Sequence, residues 1–196
     1  MCKVIFALVL TGVCHAAFAE TAWQLPLEVS DSNTKVTFDV DTTWHVVYGK
    51  TSKLSGTVSL ADPANLMSIQ SDIHFPVKSF DTGWSARDDS LYEHMKADKF
   101  PEVVLTTTEL AGECTPAVLA SGECKATLQA KLTICDVSKD VPLEVKIEDK
   151  GENYVVSGTY AFKWADYNVD DPSILVAKVD PTVRVQYSIE VPKVTK

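Results

Sequence analysis

The sequence lacks the patterns that mark most catalytic and metal-binding proteins. It has four histidines and five cysteines, and none of them forms a CxxC pair or another paired Cys/His spacing. A structural zinc motif is therefore excluded. There is also no G-x-S-x-G turn, no local signature of a cysteine protease, and no internal repeat or low-complexity tract. The sequence gives little support to an enzyme.

Positive charge is scarce as well. Eighteen Lys and Arg residues stand against 27 Asp and Glu residues, for a formal net charge of -9. A surface field of one sign repels the phosphate backbone, so we do not expect nucleic acid as a partner. No run of like charges is long enough to form an interaction tail.

Only one long apolar run is present, and it lies at the N-terminus. The residues from Val4 to Leu10 are all apolar, and Ala17-Phe18-Ala19 has the spacing of a cleavage site. This pattern predicts a secretory signal peptide over residues 1–19, with the mature chain starting at Glu20. No other segment approaches the roughly 20 apolar residues that span a bilayer. We expect residues 20–196 to form one soluble domain.

The cysteines after residue 19 predict one disulfide. In an oxidising compartment Cys114 and Cys124 can close the short loop between them. Cys135 is then unpaired, and the parity of its strand points it outward. Cys14 is a weak candidate for lipidation, because Val13 rather than a small residue precedes it.

Alternation of apolar and polar residues dominates the rest of the chain. It runs without a break through KATLQAKLTI at 125–134, which is typical of a strand with one buried face. The same period recurs in segments that contain, in order, Val36, Trp44, Leu54, Ile69, Val103, Leu143, Tyr154 and Val183. This pattern predicts about nine or ten antiparallel strands and therefore a sandwich or a closed barrel.

One helix is expected between residues 88 and 99. Leu91 and Met95 recur at helical spacing, and a proline follows the segment. Asp88 or Asp89 is placed to cap its start.

The carboxylates between Asp81 and Asp89 could act as an acid and a base. Asp88 and Asp89 are adjacent, however, and lie beside Arg87. A helix cap and a surface ion pair explain them better than catalysis does. Cys135 with a distant histidine could act as a nucleophile and base, but no motif supports this use.

The histidines do not predict a metal site. His45 and His74 alternate with apolar strand residues and should point outward, while His94 lies off the apolar stripe of the helix. No second ligand follows any of them at the spacing that a metal requires.

The apolar faces of the strands are rich in aromatic residues that a lipid chain could pack along. Periodicity leaves open whether they fill the core or surround a channel. The candidate channel residues on the strands are Phe38, Trp44, Tyr48, Phe75, Phe80, Leu128, Leu132, Tyr160, Phe162 and Trp164.

Seven segments, in order, carry a resemblance to a known family: VTFDV, LSGTVSL, VKSFDTGWSARDDSL, FPEVVLTTTEL, LQAKLTICDVSKDVPLEV, FKWADYNVDDPSIL and VRVQYSIEV. Together they resemble the YceI family of periplasmic, lipocalin-like polyisoprenoid-binding proteins. The resemblance covers nearly all of residues 20–196.

The resemblance implies a single elongated antiparallel β-barrel around a long apolar channel, with a short helix near the barrel mouth. It implies a periplasmic carrier rather than an enzyme, which holds a polyisoprenoid, an isoprenoid quinone or a fatty-acid-like lipid and needs no cofactor besides such a lipid. Transient contact with a membrane or a membrane protein and a homodimer are further expectations. Two alternatives stay open: a barrel enzyme using Cys135 or the Asp81–Asp89 loop, and a filled-core accessory module of a membrane redox or stress-response complex.

The resemblance also assigns residues at the mouth. Leu91 and Met95 match the apolar face of the lid. The loop that orders the mouth is matched by Asp81, Thr82, Gly83, Arg87 and Asp88. The chain departs from the family at Ser90, where a histidine is usual, and at Cys135-Asp136, where a basic residue and a glycine are usual. These departures concern the head group of the ligand rather than the fold.

Overall fold

The structure is a computed structural model that describes residues 23–63, 65–174 and 176–194. The predicted signal peptide over residues 1–19 and its cleavage site lie outside the described residues. Within the described residues, no helix has both the length and the apolar composition that crossing a membrane requires.

Strands dominate the described part of the chain. They are β1 (Leu27–Val29), β2 (Thr34–Thr42), β3 (Val46–Lys50), β4 (Ser55–Leu60), β5 (Ile69–Pro76), β6 (Glu102–Gly112), β7 (Glu123–Ile134), β8 (Val137–Lys150), β9 (Asn153–Lys163) and β10 (Val179–Pro192). The helices are α1 (Ser85–His94), between β5 and β6, and the short α2 (Pro116–Leu119), between β6 and β7. Single 3-10 turns lie at Leu66–Ser68, Val77–Ser79 and Trp164–Tyr167.

All of these strands join one antiparallel sheet in the order β1-β4-β5-β6-β7-β8-β9-β10-β2-β3. The sheet curls into a half-barrel. An isolated bridge between Trp23 and Lys193 brings the N-terminal segment against the chain just beyond β10. The all-β, antiparallel barrel predicted from the alternation and the resemblance is thus confirmed.

The alternation predicted from the sequence puts apolar side chains on the concave face of the sheet. In β7, Ala126, Ala130 and Ile134 are buried, whereas Lys125 and Lys131 are exposed. The physical cause is the period of two in a pleated strand, which gives every second side chain to the interior.

Two apolar clusters lie towards the two ends of the half-barrel. At the α1 end, Met95 packs with Val77, Val103, Ile134 and Tyr167. At the opposite end, which we call the disulfide end, Trp23, Leu110 and Tyr154 pack with Cys114 and Cys124. The predicted disulfide is confirmed, with the two Cα atoms 5.5 Å apart.

Helix α1 begins earlier than predicted. It spans Ser85–His94 rather than 88–99, and Trp84 is its N-cap without a side-chain capping bond. Asp88 and Asp89 therefore do not cap the helix, because both lie inside it. The chain leaves α1 through Lys96, whose φ of 54° is left-handed and ends the helical path.

Candidate ligand cavity

An apolar cavity of about 290 Å³ lies between the two end clusters. Its wall consists of inward-facing side chains of β2 and of β4 through β10, with α1 over one end. Packed interiors leave few voids larger than a water molecule, and small-molecule sites begin near about 300 Å³. The interior is thus a cavity rather than a filled core.

Most of the predicted channel residues lie at the cavity wall. The sheet supplies Phe38 from β2, Phe75 from β5, Leu128 and Leu132 from β7, and Tyr160 and Phe162 from β9. Phe80, Leu91, Met95 and Trp164 lie at the wall outside the strands.

Trp44 and Tyr48 were predicted to face the channel, and this placement is wrong. Trp44 is 66% exposed in the turn between β2 and β3, and Tyr48 is 69% exposed. The register pairs Tyr48 with Asp39 and Gly49 with Phe38. Since Phe38 lines the cavity, Gly49 shares the inward face and Tyr48 the outward one. Because side chains alternate between the two faces of a strand, an assignment of the faces that is shifted by one residue exchanges inward and outward positions.

The absence of a side chain at Gly49 leaves space for the ring of Phe38 in the cavity wall. A Cβ added to Gly49 would stand 2.2 Å from the ring of Phe38. Phe38 lies across this glycine and packs against Phe80, with ring centroids 5.8 Å apart.

A hydrogen-bond network at the start of α1 ties the helix to the preceding loop. The backbone N–H and the hydroxyl of Thr82 both donate to Oδ1 of Asp88, at 2.9 and 2.5 Å. Arg87 donates from Nε to the Thr82 hydroxyl and from a terminal nitrogen to the Thr82 carbonyl. These bonds hold α1 over the cavity through its first turn.

Asp81 stabilises the start of this loop through hydrogen bonds. Its carboxylate accepts the N–H of Gly83 at 2.7 Å, and its backbone forms a bridge with Lys50 at the end of β3. The Gly83 N–H and the nearby Lys50 ammonium hold the pKa of Asp81 below its usual range. The predicted mouth residues thus form one connected structure.

Sequence reasoning missed several residues of the interior. Trp23 and Tyr187 line the cavity, and Tyr167 is buried beside it in the 3-10 turn after β9. Tyr187 was not among the candidate channel residues, although the alternation in VRVQYSIEV puts it on the apolar face of its strand. Trp23 and Tyr167 lie outside the strands and belong to no periodic pattern.

The cavity wall carries no charged side chain among the described residues. Several of its polar groups are occupied by partners within the protein. Ser71 and Thr107, for example, bond each other at 2.9 Å across β5 and β6, and the hydroxyl of Tyr187 donates to the carbonyl of Glu144 at 3.0 Å. The wall is therefore suited to an apolar, uncharged molecule.

Cys135 does not point outward as its strand parity predicted. It lies in the two-residue turn between β7 and β8 with a left-handed φ of 52°, so the alternation of the strand does not extend to it. The thiol is buried and donates to the carbonyl of Met95 at 3.3 Å. Burial raises the pKa of Cys135, which disfavours the reactive thiolate.

The three histidines in the described part of the chain, His45, His74 and His94, lie outside the cavity lining. His45 is exposed, and Nδ1 of His94 donates to the backbone carbonyl of Ser90 within α1 at 2.7 Å. His74 bonds Glu102 on the neighbouring strand. Among the described residues, no three groups of His, Cys, Asp or Glu are placed to hold a metal ion.

Solved structures similar to this chain have the same fold. BcnA from Burkholderia cenocepacia is 20% identical, with a TM-score of 0.66 over 80% of this chain and 95% of that one. A polyisoprenoid binding domain from Saccharophagus degradans, implicated in plant cell wall breakdown, is 13% identical, with a TM-score of 0.65 over 85% and 97%. The YCEI protein of Campylobacter jejuni is 20% identical, with a TM-score of 0.58 over 76% and 86%.

Sequence comparison agrees with the fold. No curated protein matches the chain at the level of sequence. The model of the YceI-like domain, however, matches residues 27–191, which include all of the described strands except the last residue of β10. The chain therefore belongs to the YceI-like domain family.

Proposed function

We propose that this protein is a carrier that holds an elongated hydrophobic lipid, such as a polyisoprenoid, an isoprenoid quinone or a fatty-acid-like chain, inside the half-barrel. The apolar, uncharged cavity of about 290 Å³ carries the proposal. The name of the Saccharophagus degradans domain, a polyisoprenoid binding domain of the same fold, supports it.

The binding energy would come from removing the lipid chain from water. Each buried methylene contributes about 0.8 kcal/mol, and part of this is offset by the ordering of the chain and the loss of its translational freedom. Aromatic side chains such as Phe38, Phe75 and Phe162 offer broad, rigid surfaces for such a chain.

The test combines lipid extraction with a blocking variant. Protein purified without added lipid is extracted into organic solvent and analysed by mass spectrometry, and binding of prenols and quinones is followed by tryptophan fluorescence. Val185 faces the cavity between Phe38 and Tyr160, so Val185→Trp should fill it and weaken binding at least about tenfold, because a packed wall rejects further volume.

Gln186→Trp is the matched control, because Gln186 is the next residue on β10 and is exposed. Its affinity should equal that of the wild type. Absence of any extracted lipid, together with equal fluorescence responses in both variants, would contradict a carrier function.

We infer further that the protein works in the periplasm, after removal of residues 1–19, and catalyses no reaction. Three exposed apolar residues suit a transient membrane contact during lipid transfer: Trp44, Ile174 and Val176. Hydrogen bonds join Thr43 to Lys178 and so hold their two loops together. Apolar side chains on loop tips favour a lipid interface, and Trp is enriched there.

The membrane contact can be tested with vesicles loaded with a fluorescent lipid. The double variant Trp44→Ser, Val176→Ser should transfer lipid more slowly than the wild type. Val118→Ser, an exposed apolar residue on α2 near the disulfide end, is the control. Ultracentrifugation tests self-association instead. If the wild type is a homodimer and the double variant is a monomer, the surface is a dimer interface.

A further inference from the structure

We propose that the carried lipid enters and leaves the cavity through a window between β8 and β9 rather than past α1. The window is bounded by residues 137–144 of β8, by residues 159–163 of β9 and, at its base, by the 3-10 turn Trp164–Tyr167. This inference rests on the proposed carrier function and adds the route of lipid exchange to it.

The first observation is that β8 and β9 share a ladder over only part of their length. Their pairing ends at Val145 and Gly158, although β8 begins at Val137 and β9 continues to Lys163. On their other sides, β7 accompanies β8 to Val137 and β10 accompanies β9 to Lys163. In the described sheet, residues 137–144 and 159–163 are therefore not joined to each other by a ladder.

The second observation is that the window lies directly beside the cavity. Leu143 of β8 lines the cavity, as do Tyr160 and Phe162 of β9. Trp164, which begins the turn at the base, and Val169, which follows this turn, line it as well. Residues on all three sides of the window thus face the same apolar space. Displacement of the side chains between them would connect this space with the solvent.

The third observation is that side chains close the window. Tyr160 packs against the buried cluster that includes Val141 of β8. At the upper end of the window, Gly158 leaves space for Tyr187, whose hydroxyl donates to the carbonyl of Glu144 at 3.0 Å. Side chains change rotamer much faster than strands separate, so this closure can open while the sheet stays intact.

The contacts between the base of the window and β8 are weak. The ammonium of Lys139 lies 3.9 Å from the carboxylate of Asp166, and the two side chains are 43% and 53% exposed. An ion pair with this exposure contributes little to stability. The amide of Asn168 donates to the carboxylate of Asp136 at 3.2 Å, also at the surface. Tyr167 is buried in the α1-end cluster and anchors the turn while these contacts open.

The other boundaries of the cavity are held more firmly. Two backbone hydrogen bonds between Lys50 and Asp81, at 3.0 and 2.9 Å, join the loop before α1 to β3. Tyr92 of α1 donates to the carbonyl of Phe80 at 2.7 Å. The opposite end contains the disulfide and its buried cluster. Proteins open locally where few buried contacts and backbone hydrogen bonds must break, so the window opens at the lowest cost.

The experiment measures lipid exchange after one boundary at a time has been cross-linked. Three double cysteine variants, each at an exposed ion pair, are closed with the same short bis-maleimide. They are Lys139→Cys with Asp166→Cys across the window, Lys50→Cys with Asp81→Cys beside α1, and Lys131→Cys with Asp140→Cys as the control. The control pair joins β7 to β8 where their ladder is continuous. Each variant capped with N-ethylmaleimide is its own reference.

The probe is retinol, an uncharged isoprenoid alcohol that fluoresces. Binding is followed by stopped-flow energy transfer from tryptophan, since Trp23 and Trp164 line the cavity, and release by transfer to phosphatidylcholine vesicles. The cross-link across the window should slow both binding and release at least about tenfold, because a closed gate limits passage in both directions. The dissociation constant should not change. The cross-links beside α1 and in the control should leave both rates equal to those of the capped references.

A second pair of variants tests the window without a cross-linker. Lys139→Ala with Asp166→Ala removes the exposed ion pair at the base and should speed release by up to about fivefold. Lys131→Ala with Asp140→Ala removes an exposed ion pair outside the window and should leave release unchanged. Circular dichroism and a melting curve establish that each variant is folded.

The outcomes separate the two proposals. Slower exchange with the window cross-linked, and only there, supports the route. If this cross-link leaves the rates unchanged, if the cross-link beside α1 slows exchange, or if the two alanine variants release retinol equally, the window is wrong and the carrier function stands. If the wild type binds no retinol, both proposals are overturned.

Discussion

Thr82 and Asp88 are joined by two hydrogen bonds to one carboxylate oxygen, from the Thr82 N–H at 2.9 Å and from its hydroxyl at 2.5 Å. Five residues separate them in the chain, so the bonds close the loop before α1 onto the first turn of the helix. Asp88 is buried, whereas the adjacent Asp89 is exposed. The position of α1 over the cavity therefore depends on the carboxylate of Asp88 and not on that of Asp89.

Asp88→Ala should loosen the cover of the cavity. The substitution leaves two donors of Thr82 without their acceptor, and we expect the free energy of unfolding to fall by about 1–3 kcal/mol. Hydrogen exchange should accelerate in residues 80–95 more than in the sheet. Asp89→Ala should change neither measurement, and equal effects of the two variants would show that the network does not hold the helix.

The disulfide should stabilise the opposite end of the half-barrel. Cys114 and Cys124 are separated by 10 positions, and closing a loop of this size contributes about 2–3 kcal/mol through the unfolded chain. The double variant Cys114→Ala, Cys124→Ala should lose about this amount in urea unfolding. Dithiothreitol should lower the stability of the wild type by a similar amount and leave the double variant unaffected. This comparison distinguishes the effect of losing the disulfide bond from the effect of losing the packing of the cysteine side chains.

Cys135 should be slow to react and replaceable. Because the thiol is buried with a raised pKa, iodoacetamide should modify it at least about tenfold more slowly in the folded protein than in denaturant. Cys135→Ser keeps a donor toward the Met95 carbonyl and should bind lipid like the wild type. Fast labelling, together with loss of a measurable turnover in Cys135→Ser, would revive the alternative of a barrel enzyme.

His74 should make stability depend weakly on pH. The Glu102 carboxylate, 2.8 Å from its ring, raises the pKa of His74, with a further contribution from Asp72 and partial opposition from burial. A raised pKa means that this stabilisation is fully present below about pH 6.5, the ordinary value, and is lost as the pH rises through the folded-state pKa. The loss should be under about 1 kcal/mol, since the ring is partly exposed.

Urea unfolding of the wild type and of His74→Gln between pH 5.5 and 8.5 measures this contribution, a range chosen around the ordinary histidine pKa of about 6.5. The difference in stability between the two proteins should shrink as the pH rises. His45→Gln is the control at an exposed histidine. A difference that grows with pH would contradict the assignment.

Local periodicity was sufficient to predict the sheet and most of the cavity wall. In β7 and β10 the apolar residues alternate so regularly that one face had to be inward, and Leu128, Leu132 and Val185 lie there. In β3 the same reasoning failed, because VVYGK is too short and too apolar to choose a face by itself. The pairing with β2, which sets Gly49 opposite Phe38, made that choice.

By itself, the sequence determined the antiparallel strands, the pairing of Cys114 with Cys124 and the family, since these depend on alternation, on cysteine number and on motifs within short segments. Only the tertiary structure decided that the interior is a cavity, that Cys135 is buried and that Tyr167 is buried beside the cavity. These features depend on how far distant strands curl and separate, as β8 and β9 do. Packing across the whole sheet sets that distance, and no short stretch of residues encodes it.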